Sequence, residues 1–215
     1  MDNKDIQNLR QDYSAAVLTE KEIKQDPIKQ FDKWFNEAVA AEVHEPNAMT
    51  LATATTNGHP SARIVLLKGF NNQGFNFYTN YLSRKGKEMA KNPLVSAVFF
   101  WPELERQVRI EGTIEKLSRE QSEEYFHTRP KASQLGAVAS PQSQEIEGRK
   151  ILEEKMAQLE VEYADKDVPK PSHWGGYIIK PRLIEFWQGR RSRLHDRIVF
   201  KKIDNKNWKI VRLAP

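Results

Sequence analysis

The stretch Ile184-Glu-Phe-Trp-Gln-Gly-Arg-Arg-Ser-Arg-Leu-His-Asp-Arg197 mixes apolar strand formers with arginine, histidine and aspartate. Arg193, His195 and Arg197 are spaced by two, so on a β-strand their side chains would share one face. Two guanidiniums and an imidazole on one face, close to Trp187, would suit a planar, anionic ligand that accepts hydrogen bonds. A basic edge strand that faces water explains the same composition equally well.

The 215-residue chain is long enough for one domain with a substantial core. No run reaches the roughly 18 to 20 apolar residues of a membrane span, and the start, Met1-Asp-Asn-Lys-Asp-Ile, lacks the apolar segment of a secretory signal. Cysteine is absent, and the five histidines show no spacing typical of metal ligands. These features predict a cytoplasmic protein that has no disulfide, no metal ion and no membrane association.

The net charge of +5 is concentrated near the C-terminus. Residues 180–212 contain eleven Lys and Arg against three Asp and Glu, a local balance of +8, so the rest of the chain carries −3. Nucleic acid is one partner that such a stripe could bind. A small phosphorylated ligand needs only a few cations in a pocket, and no RNA-recognition motif accompanies the charge, so the small ligand is favoured.

Hydrophobic patterns predict antiparallel β-structure with helices inserted at two places, an α+β fold that is mainly a β-barrel. The expected strands are 49–55, 62–68, 75–80, 94–101, 107–117, 177–187, 194–202 and 208–213. Asn57-Gly58 is a typical hairpin turn. Helices are expected after the Asp26-Pro27 cap, from Ser83 to Pro93, from the Ser118 capping box to Pro130, and across Ile146–Leu159. We expect a mobile N-terminal segment at residues 1–25 and a single domain at 26–215.

Two groups of residues have the chemistry of phosphate ligands. Arg84 and Lys85 open a helix, where two cations are unfavourable unless an anion binds at the positive helix terminus. Tyr125 and Arg129 are four apart on one expected helix and Ser133 follows four residues later, so the three could clamp a phosphate. An exposed basic turn and a helix with a solvated face are the alternatives, and for Tyr125 and Arg129 the residues alone favour the solvated helix.

Several motifs resemble those of the pyridoxamine 5′-phosphate oxidases, FMN enzymes that make pyridoxal 5′-phosphate. The motifs occur in the family order and cover nearly the whole chain from about Arg10 onward. They are Arg63-Ile-Val-Leu-Leu-Lys68, Phe77-Tyr-Thr-Asn80, Ser83-Arg-Lys85, Glu105-Arg-Gln-Val108, Tyr125-Phe-His-Thr-Arg-Pro130, Trp174-Gly-Gly176, Glu185-Phe-Trp-Gln, Arg193-Leu-His-Asp-Arg197 and Trp208-Lys-Ile-Val-Arg-Leu-Ala-Pro215.

The resemblance implies an FMN-binding split β-barrel of antiparallel, Greek-key type with inserted helices, and a homodimer with FMN at the subunit interface. It implies FMN contacts from Arg63, Ile64, Val65, Leu66, Leu67, Lys68, Tyr78, Thr79, Arg84, Lys85, Gln107, Gln142, Ser143, Trp187 and Arg197. It implies substrate contacts from Arg10, Tyr13, Lys68, Tyr125, Arg129, Ser133, Arg193, Leu194 and His195. In this pattern Arg10 and Tyr13 fold over the bound substrate, and Arg193 and His195 are catalytic.

The implied reaction is the oxidation of pyridoxamine 5′-phosphate and pyridoxine 5′-phosphate by dioxygen to pyridoxal 5′-phosphate, with release of hydrogen peroxide and, from the amine, ammonia. This is the last step of vitamin B6 cofactor synthesis and salvage. Two other functions remain as alternatives. One is a flavin-binding or flavin-reductase relative on the same barrel, which the presence of all the substrate residues disfavours. The other is a barrel that binds nucleic acid through its C-terminal basic stripe.

Overall fold

A computed structural model describes Asp5, Asn8, Leu9 and residues 12–204 and 207–215. The predicted substrate residue Arg10 lies outside the described residues. The helices are α1 (Pro27–Ala40), α2 (Arg84–Lys91), α3 (Arg119–Thr128), α4 (Lys131–Ala139) and α5 (Arg149–Glu162). The strands are β1 (Ala48–Ala54), β2 (Pro60–Leu66), β3 (Gly69–Asn71), β4 (Gly74–Asn80), β5 (Leu94–Trp101), β6 (Arg106–Lys116), β7 (Trp174–Gln188), β8 (Asp196–Lys202) and β9 (Trp208–Leu213).

The nine strands form one sheet with the order β2-β1-β5-β6-β7-β4-β3, and β8 and β9 continue from β7 off this path. The pairs β3–β4, β4–β7, β7–β8 and β8–β9 are antiparallel. In the β7–β8 register Trp187 lies opposite Arg197, and Gln188 lies opposite Asp196. The expectation of a mainly antiparallel β-fold with inserted helices is confirmed.

The local signals at the helix starts act as expected. Asp26 caps α1 by accepting hydrogen bonds from the N–H groups of Ile28 and Lys29, with Pro27 in the first turn. Ser118 and Gln121 form the capping box that begins α3. The short helix α4, which carries Ser133, was not expected.

Two expectations about site residues are wrong in their local structure. Strand β8 begins at Asp196, so Arg193 and His195 lie before it and do not share a strand face with Arg197. The chain cannot be extended there because Ser192 and Arg193 have positive φ angles of 55° and 60°. Arg129 is also not helical: α3 ends at Thr128, and Arg129 is its C-cap with an extended backbone.

The chain folds into two compact units, each formed from segments that are distant in the sequence. The first unit comprises Met1–Thr50, Ser96–Glu111 and Pro181–Pro215. Its core is aromatic: the ring centroids of Phe31 and Phe99 are 5.2 Å apart, and Trp34 meets Phe186 edge-on at 5.2 Å. Such tilted and edge-on pairs contribute to stability beyond the area that they bury.

The second unit comprises Leu51–Val95 and Gly112–Lys180. Its inserted helices pack around a buried cluster that consists of Phe126, Leu135, Leu159, Val168 and Trp174. Within the described residues, no helix combines the length and the apolar character needed to cross a membrane.

Candidate active site

A cavity of about 490 Å³ in the second unit brings together many of the predicted ligands. The predicted residues that line it are Arg63, Ile64, Val65, Leu66, Lys68, Tyr78, Thr79, Lys85, Tyr125, Arg129, Ser133 and Gln142. Asn80, Pro130 and Trp174 complete the lining. Leu67, Arg84 and Ser143 are not part of it: Leu67 is buried, whereas Arg84 and Ser143 are exposed.

The buried ammonium of Lys85 is the first cationic centre of this cavity. It donates hydrogen bonds to three neutral oxygens: Oε1 of Gln142 at 2.8 Å, Oγ1 of Thr79 at 3.0 Å and Oγ of Ser83 at 3.3 Å. Burial, with a contribution from the nearby charge of Arg63, lowers the pKa of Lys85 from 10.5 to about 8. None of these three partners balances the positive charge of Lys85, so an anion that replaced one of them would be favoured.

Arg63 and Arg84 are connected through the buried carboxylate of Glu88. Arg84 Nε donates to Glu88 Oε1 at 2.9 Å, and Arg63 Nη2 lies 3.6 Å from Glu88 Oε2. Burial alone would raise the pKa of Glu88, but hydrogen bonds from Ser61, Thr53 and Arg84 lower it to about 2. The carboxylate is therefore ionised at neutral pH and pairs with both arginines, of which Arg63 lines the cavity.

Arg129 is a second cationic centre. Its guanidinium carbon lies 4.6 Å from the ring centroid of Trp174, and burial lowers its pKa from the ordinary value. Its Nη1 atom is buried and has no hydrogen-bond partner within the described part of the chain. Because an unpaired buried N–H is costly, this atom indicates a place for a ligand oxygen.

Stacked aromatic rings adjoin Arg129. Tyr78 and Tyr125 stack with their centroids 3.9 Å apart, and both are nearly parallel to Trp174 at 5.6 Å and 6.2 Å. On strand β2, Ile64 leaves 63% of its surface exposed although it lines the cavity. The cavity thus offers flat apolar surface together with cations, a combination that suits a planar, phosphorylated ligand.

The first unit contains a separate cluster of predicted site residues. The Tyr13 ring meets Trp187 edge-on at 5.8 Å and lies 5.9 Å from His195, whose own centroid is 4.6 Å from Trp187. Gly189 permits this packing, because a Cβ atom there would lie 2.7 Å from Cγ of Tyr13. The cluster is therefore closely packed around the imidazole.

The protonation of His195 follows from its contacts. The backbone N–H of Arg190 donates to His195 Nδ1 at 3.1 Å, so the neutral ring carries its proton on Nε2. Burial, together with the charge of Arg193, lowers the pKa of His195 from its usual 6.5. At neutral pH this histidine is an uncharged hydrogen-bond donor, and the cationic group beside it is the exposed Arg193.

Arg197 is fixed by Glu185, a carboxylate that is 2% exposed. Its Nε and Nη2 atoms contact the two oxygens of Glu185 at 2.7 Å and 3.2 Å, and Arg109 donates to the same carboxylate at 2.5 Å. Burial alone would raise the pKa of Glu185, but hydrogen bonds from Arg197 and Arg109 lower it. Glu185, like Glu88 and Asp196, was not among the predicted site residues, although its position inside a basic motif could have indicated a counter-ion.

The remaining predicted residues in this unit are Gln107, half-buried on β6, and Leu194, which is 69% exposed. Five of the eleven cations counted in the C-terminal basic stripe are ion-paired in the described structure. The paired residues are Lys180 with Glu115, Arg182 with Glu111, Arg190 with Asp196, Arg197 with Glu185, and Arg212 with Glu20 and Asp196. Paired cations are less available to a phosphate backbone, which weighs against nucleic-acid binding.

Comparison with known proteins gives matches over nearly the whole chain. Residues 35–162 match the family described as pyridoxamine 5′-phosphate oxidase, and residues 174–215 match the pyridoxine 5′-phosphate oxidase C-terminal dimerisation region. A pyridoxine/pyridoxamine 5′-phosphate oxidase of Salinibacter ruber is 55% identical over 98% of this chain and 99% of its own. A protein of the same name from Leptospira interrogans is 57% identical and covers 98% of each chain.

Solved structures agree with these matches. PhzG from Burkholderia lata 383, crystallised with tetrahydrophenazine-1-carboxylic acid, is 30% identical with a TM-score of 0.88, over 94% of this chain and 100% of its own. An FMN-binding protein related to pyridoxamine 5′-phosphate oxidase, from Nostoc punctiforme, has a TM-score of 0.69 at 15% identity, over 86% of this chain and 97% of its own, and shows the fold alone.

The split-barrel fold and the family matches together place the chain in the class of FMN-dependent oxidoreductases. Within this class, the chain belongs to the pyridoxamine 5′-phosphate oxidase family. The match to the dimerisation region indicates a homodimer.

Proposed function

We propose that this enzyme oxidises pyridoxamine 5′-phosphate and pyridoxine 5′-phosphate to pyridoxal 5′-phosphate, with dioxygen as the electron acceptor. Hydrogen peroxide is then the second product, and ammonia is released from the amine substrate. The observation that carries the proposal is the presence of two cationic centres, Lys85 and Arg129, in one cavity. Two phosphate-bearing molecules, FMN and the substrate, match two such centres, and the names of the curated relatives support the same reaction.

The first centre fits the phosphate of FMN. Lys85 donates to neutral groups that a phosphate oxygen could replace as acceptors, and Arg63 lies close enough to lower its pKa. Arg84 would use the guanidinium nitrogens that Glu88 leaves unbound. Strand β2 and residues Leu67, Lys68, Tyr78, Gln107, Gln142, Ser143, Trp187 and Arg197 would contact the rest of the cofactor. When bound, FMN supplies the electron acceptor for the carbon that is oxidised.

The second centre fits the substrate phosphate. Arg129 presents a buried Nη1 atom without a partner, and the same cavity contains Lys68, Tyr125 and Ser133. Charged hydrogen bonds from arginine and lysine are the usual way to hold a phosphate monoester. A substrate without this phosphate would leave the guanidinium unsatisfied, so we expect strong preference for phosphorylated vitamers.

Arg193, Leu194 and His195 would contact the pyridine ring of the substrate, with Tyr13 and Arg10 covering it. His195 can donate a hydrogen bond from Nε2, because Nδ1 already accepts one from Arg190. Arg193 offers a planar guanidinium with several donors, which would hydrogen-bond the 3-hydroxyl and the C4′ substituent of the substrate. Both groups thus orient the substrate and favour the transition state over the ground state.

In the proposed homodimer, FMN lies at the subunit interface. The dimerisation region at residues 174–215 supports this arrangement, since it includes Trp187, Arg193, His195 and Arg197. The cytoplasmic location remains a prediction from the sequence.

The direct test is an aerobic assay of the FMN-loaded enzyme with pyridoxamine 5′-phosphate, in which aldehyde product and hydrogen peroxide are both quantified. Equal amounts of the two products are expected, with little product from unphosphorylated pyridoxamine. If the protein binds FMN but forms no aldehyde, it is a flavoprotein with another activity, and the proposal is contradicted.

A further inference from the structure

The carboxylate of Asp196 joins two segments of the first unit. One is the N-terminal strap, defined as residues 12–23, which carries Tyr13; the other is the arginine loop, defined as residues 189–195, which carries Arg193 and His195. Asp196 Oδ2 accepts from the backbone N–H of Leu18 at 3.1 Å and from Arg190 Nη1 at 3.1 Å. Its Oδ1 accepts from Arg212 Nη1 at 2.7 Å.

Arg212 extends this connection along the strap. It contacts both oxygens of Glu20, at 2.7 Å and 2.9 Å, and donates to the backbone carbonyl of Leu18 at 2.9 Å. Leu18 and Ile23 are 4% and 5% exposed, so the same part of the strap is also packed. Polar and apolar contacts therefore fix the part of the strap that begins five residues after Tyr13, at Leu18.

Arg190 makes the corresponding connection in the arginine loop. Its side chain donates to Asp196, while its backbone N–H donates to His195 Nδ1. Ser192 and Arg193 have left-handed backbones between these two bonds. Such a backbone is retained when the surrounding contacts determine it, and Asp196 provides one of these contacts.

We propose that Asp196 is a positioning residue that fixes the strap and the arginine loop in one arrangement, so that Tyr13 and His195 meet Trp187 as observed. This proposal rests on the proposed function, in which Tyr13, Arg193 and His195 contact the substrate. Asp196 itself lies outside the substrate contacts and acts through Leu18, Arg190 and Arg212.

The Asp196→Asn variant would disrupt this arrangement, although its shape is nearly unchanged. A carboxylate has only acceptors and here faces three donors, whereas an asparagine amide directs two N–H donors toward that side. At least one donor must then lose its partner. Losing a charged hydrogen bond of this kind changes the equilibrium constant for the bonded arrangement roughly ten- to one-hundred-fold.

The experiment compares the FMN-loaded wild type with the Asp196→Asn and Arg212→Met variants. Steady-state kinetics with pyridoxamine 5′-phosphate are combined with trypsin cleavage at the exposed Lys21 of the strap and at the exposed Lys24 that follows it. Both variants should be cleaved faster. Arg212→Met loosens only the strap and should raise KM with kcat nearly unchanged. Asp196→Asn also frees the arginine loop, so it should lower kcat as well, and its kcat/KM should fall about ten- to one-hundred-fold.

Glu115→Gln is the matched control, since it breaks an ion pair with Lys180 in the second unit. It should retain wild-type kinetics and strap cleavage. Wild-type kcat/KM in Asp196→Asn, wild-type cleavage in both variants, or an activity loss that only follows loss of FMN would overturn the proposal. An inactive wild type would refute the proposed function instead, while the cleavage rates would still test whether Asp196 holds the strap.

Discussion

The Lys85 ammonium lies 2.8 Å from Oε1 of Gln142, and its other two acceptors, on Thr79 and Ser83, are also neutral. Burial therefore acts on this cation without a compensating charge at hydrogen-bond distance among these partners, and its pKa falls from 10.5 to about 8. A phosphate at this position would restore the charged form. Under the proposed function, FMN affinity should therefore depend on pH in the range where Lys85 titrates.

FMN affinity should decrease as the pH rises through about 8, because Lys85 of the apoprotein loses its proton there. Above that pH, binding of the phosphate requires Lys85 to take up a proton again. The unfolded chain keeps this proton up to about pH 10.4. Between these values the unfolded state binds more protons than the folded apoprotein, so Lys85 makes the apoprotein more stable with rising pH. Fluorescence titrations with FMN from pH 7 to 10 measure how its affinity depends on pH. Denaturant unfolding of the apoprotein over the same range measures how its free energy of unfolding depends on pH.

Lys85→Met should remove both the pH dependence of FMN affinity and the pH dependence of apoprotein stability that are due to Lys85. Lys87→Met is the matched control, since Lys87 is exposed on the same helix and does not line the cavity. If the pH dependence of FMN affinity persists in Lys85→Met, another group is responsible and Lys85 does not bind the phosphate.

Replacing Arg84 and Lys85 together with alanine should weaken FMN far more than it alters folding. Each lost charged hydrogen bond costs about 1.5 to 3 kcal/mol, which predicts a decrease in affinity of at least roughly tenfold. Riboflavin, which lacks the phosphate, should bind the double variant and the wild type about equally. An unchanged FMN affinity, or an equal loss for both ligands, would contradict the assignment of this helix terminus to the cofactor phosphate.

Arg129→Ala should raise the KM for pyridoxamine 5′-phosphate by roughly ten- to one-hundred-fold, because the buried Nη1 atom and its charge are lost. Turnover at saturating substrate should change less than KM, since the phosphate takes no part in the bond changes at C4′. The comparison is Arg119→Ala, whose side chain is 82% exposed on the preceding helix. Equal effects of the two substitutions would show that Arg129 has no special role.

Much of the fold could be predicted from local signals. The Asp26 cap, the Ser118 capping box and the alternation along β4 to β6 each determine their structure through nearby residues. The arginine loop could not be predicted in this way. Arg193, His195 and Arg197 have strand-like spacing, but Ser192 and Arg193 adopt left-handed backbones that depend on contacts with distant residues.

In the candidate site, too, some features could be predicted from the sequence and others depend on contacts between distant residues. Residue types and the family resemblance indicated the cations, and twelve predicted residues line one cavity. The carboxylates Glu88, Glu185 and Asp196, which pair with arginines, were missed because those pairs form only in the folded chain. Only the structure shows Glu185 at 2% exposure between Arg109 and Arg197.

Mixed dimers test the placement of FMN at the subunit interface. If one subunit supplies Arg129 and its partner supplies Arg193 to the same site, Arg129→Ala and Arg193→Ala chains should complement each other. Random exchange of equal amounts in a two-fold dimer would restore about a quarter of the wild-type sites. Activity at a substrate concentration well below the KM of Arg129→Ala should therefore rise when the two impaired proteins are unfolded and refolded together. No increase above the separate variants would place both residues of a site on one chain.

The most direct measurement of the central claim is an anaerobic titration of the FMN-loaded enzyme with pyridoxamine 5′-phosphate, followed by the visible absorbance of the bound FMN. We predict that the absorbance is lost and that an equal amount of pyridoxal 5′-phosphate forms. Admitting air should then restore the absorbance with release of hydrogen peroxide. Unphosphorylated pyridoxamine should act far more weakly at the same concentration. If bound FMN keeps the absorbance of its oxidised form in the presence of saturating pyridoxamine 5′-phosphate, the proposed reaction is contradicted.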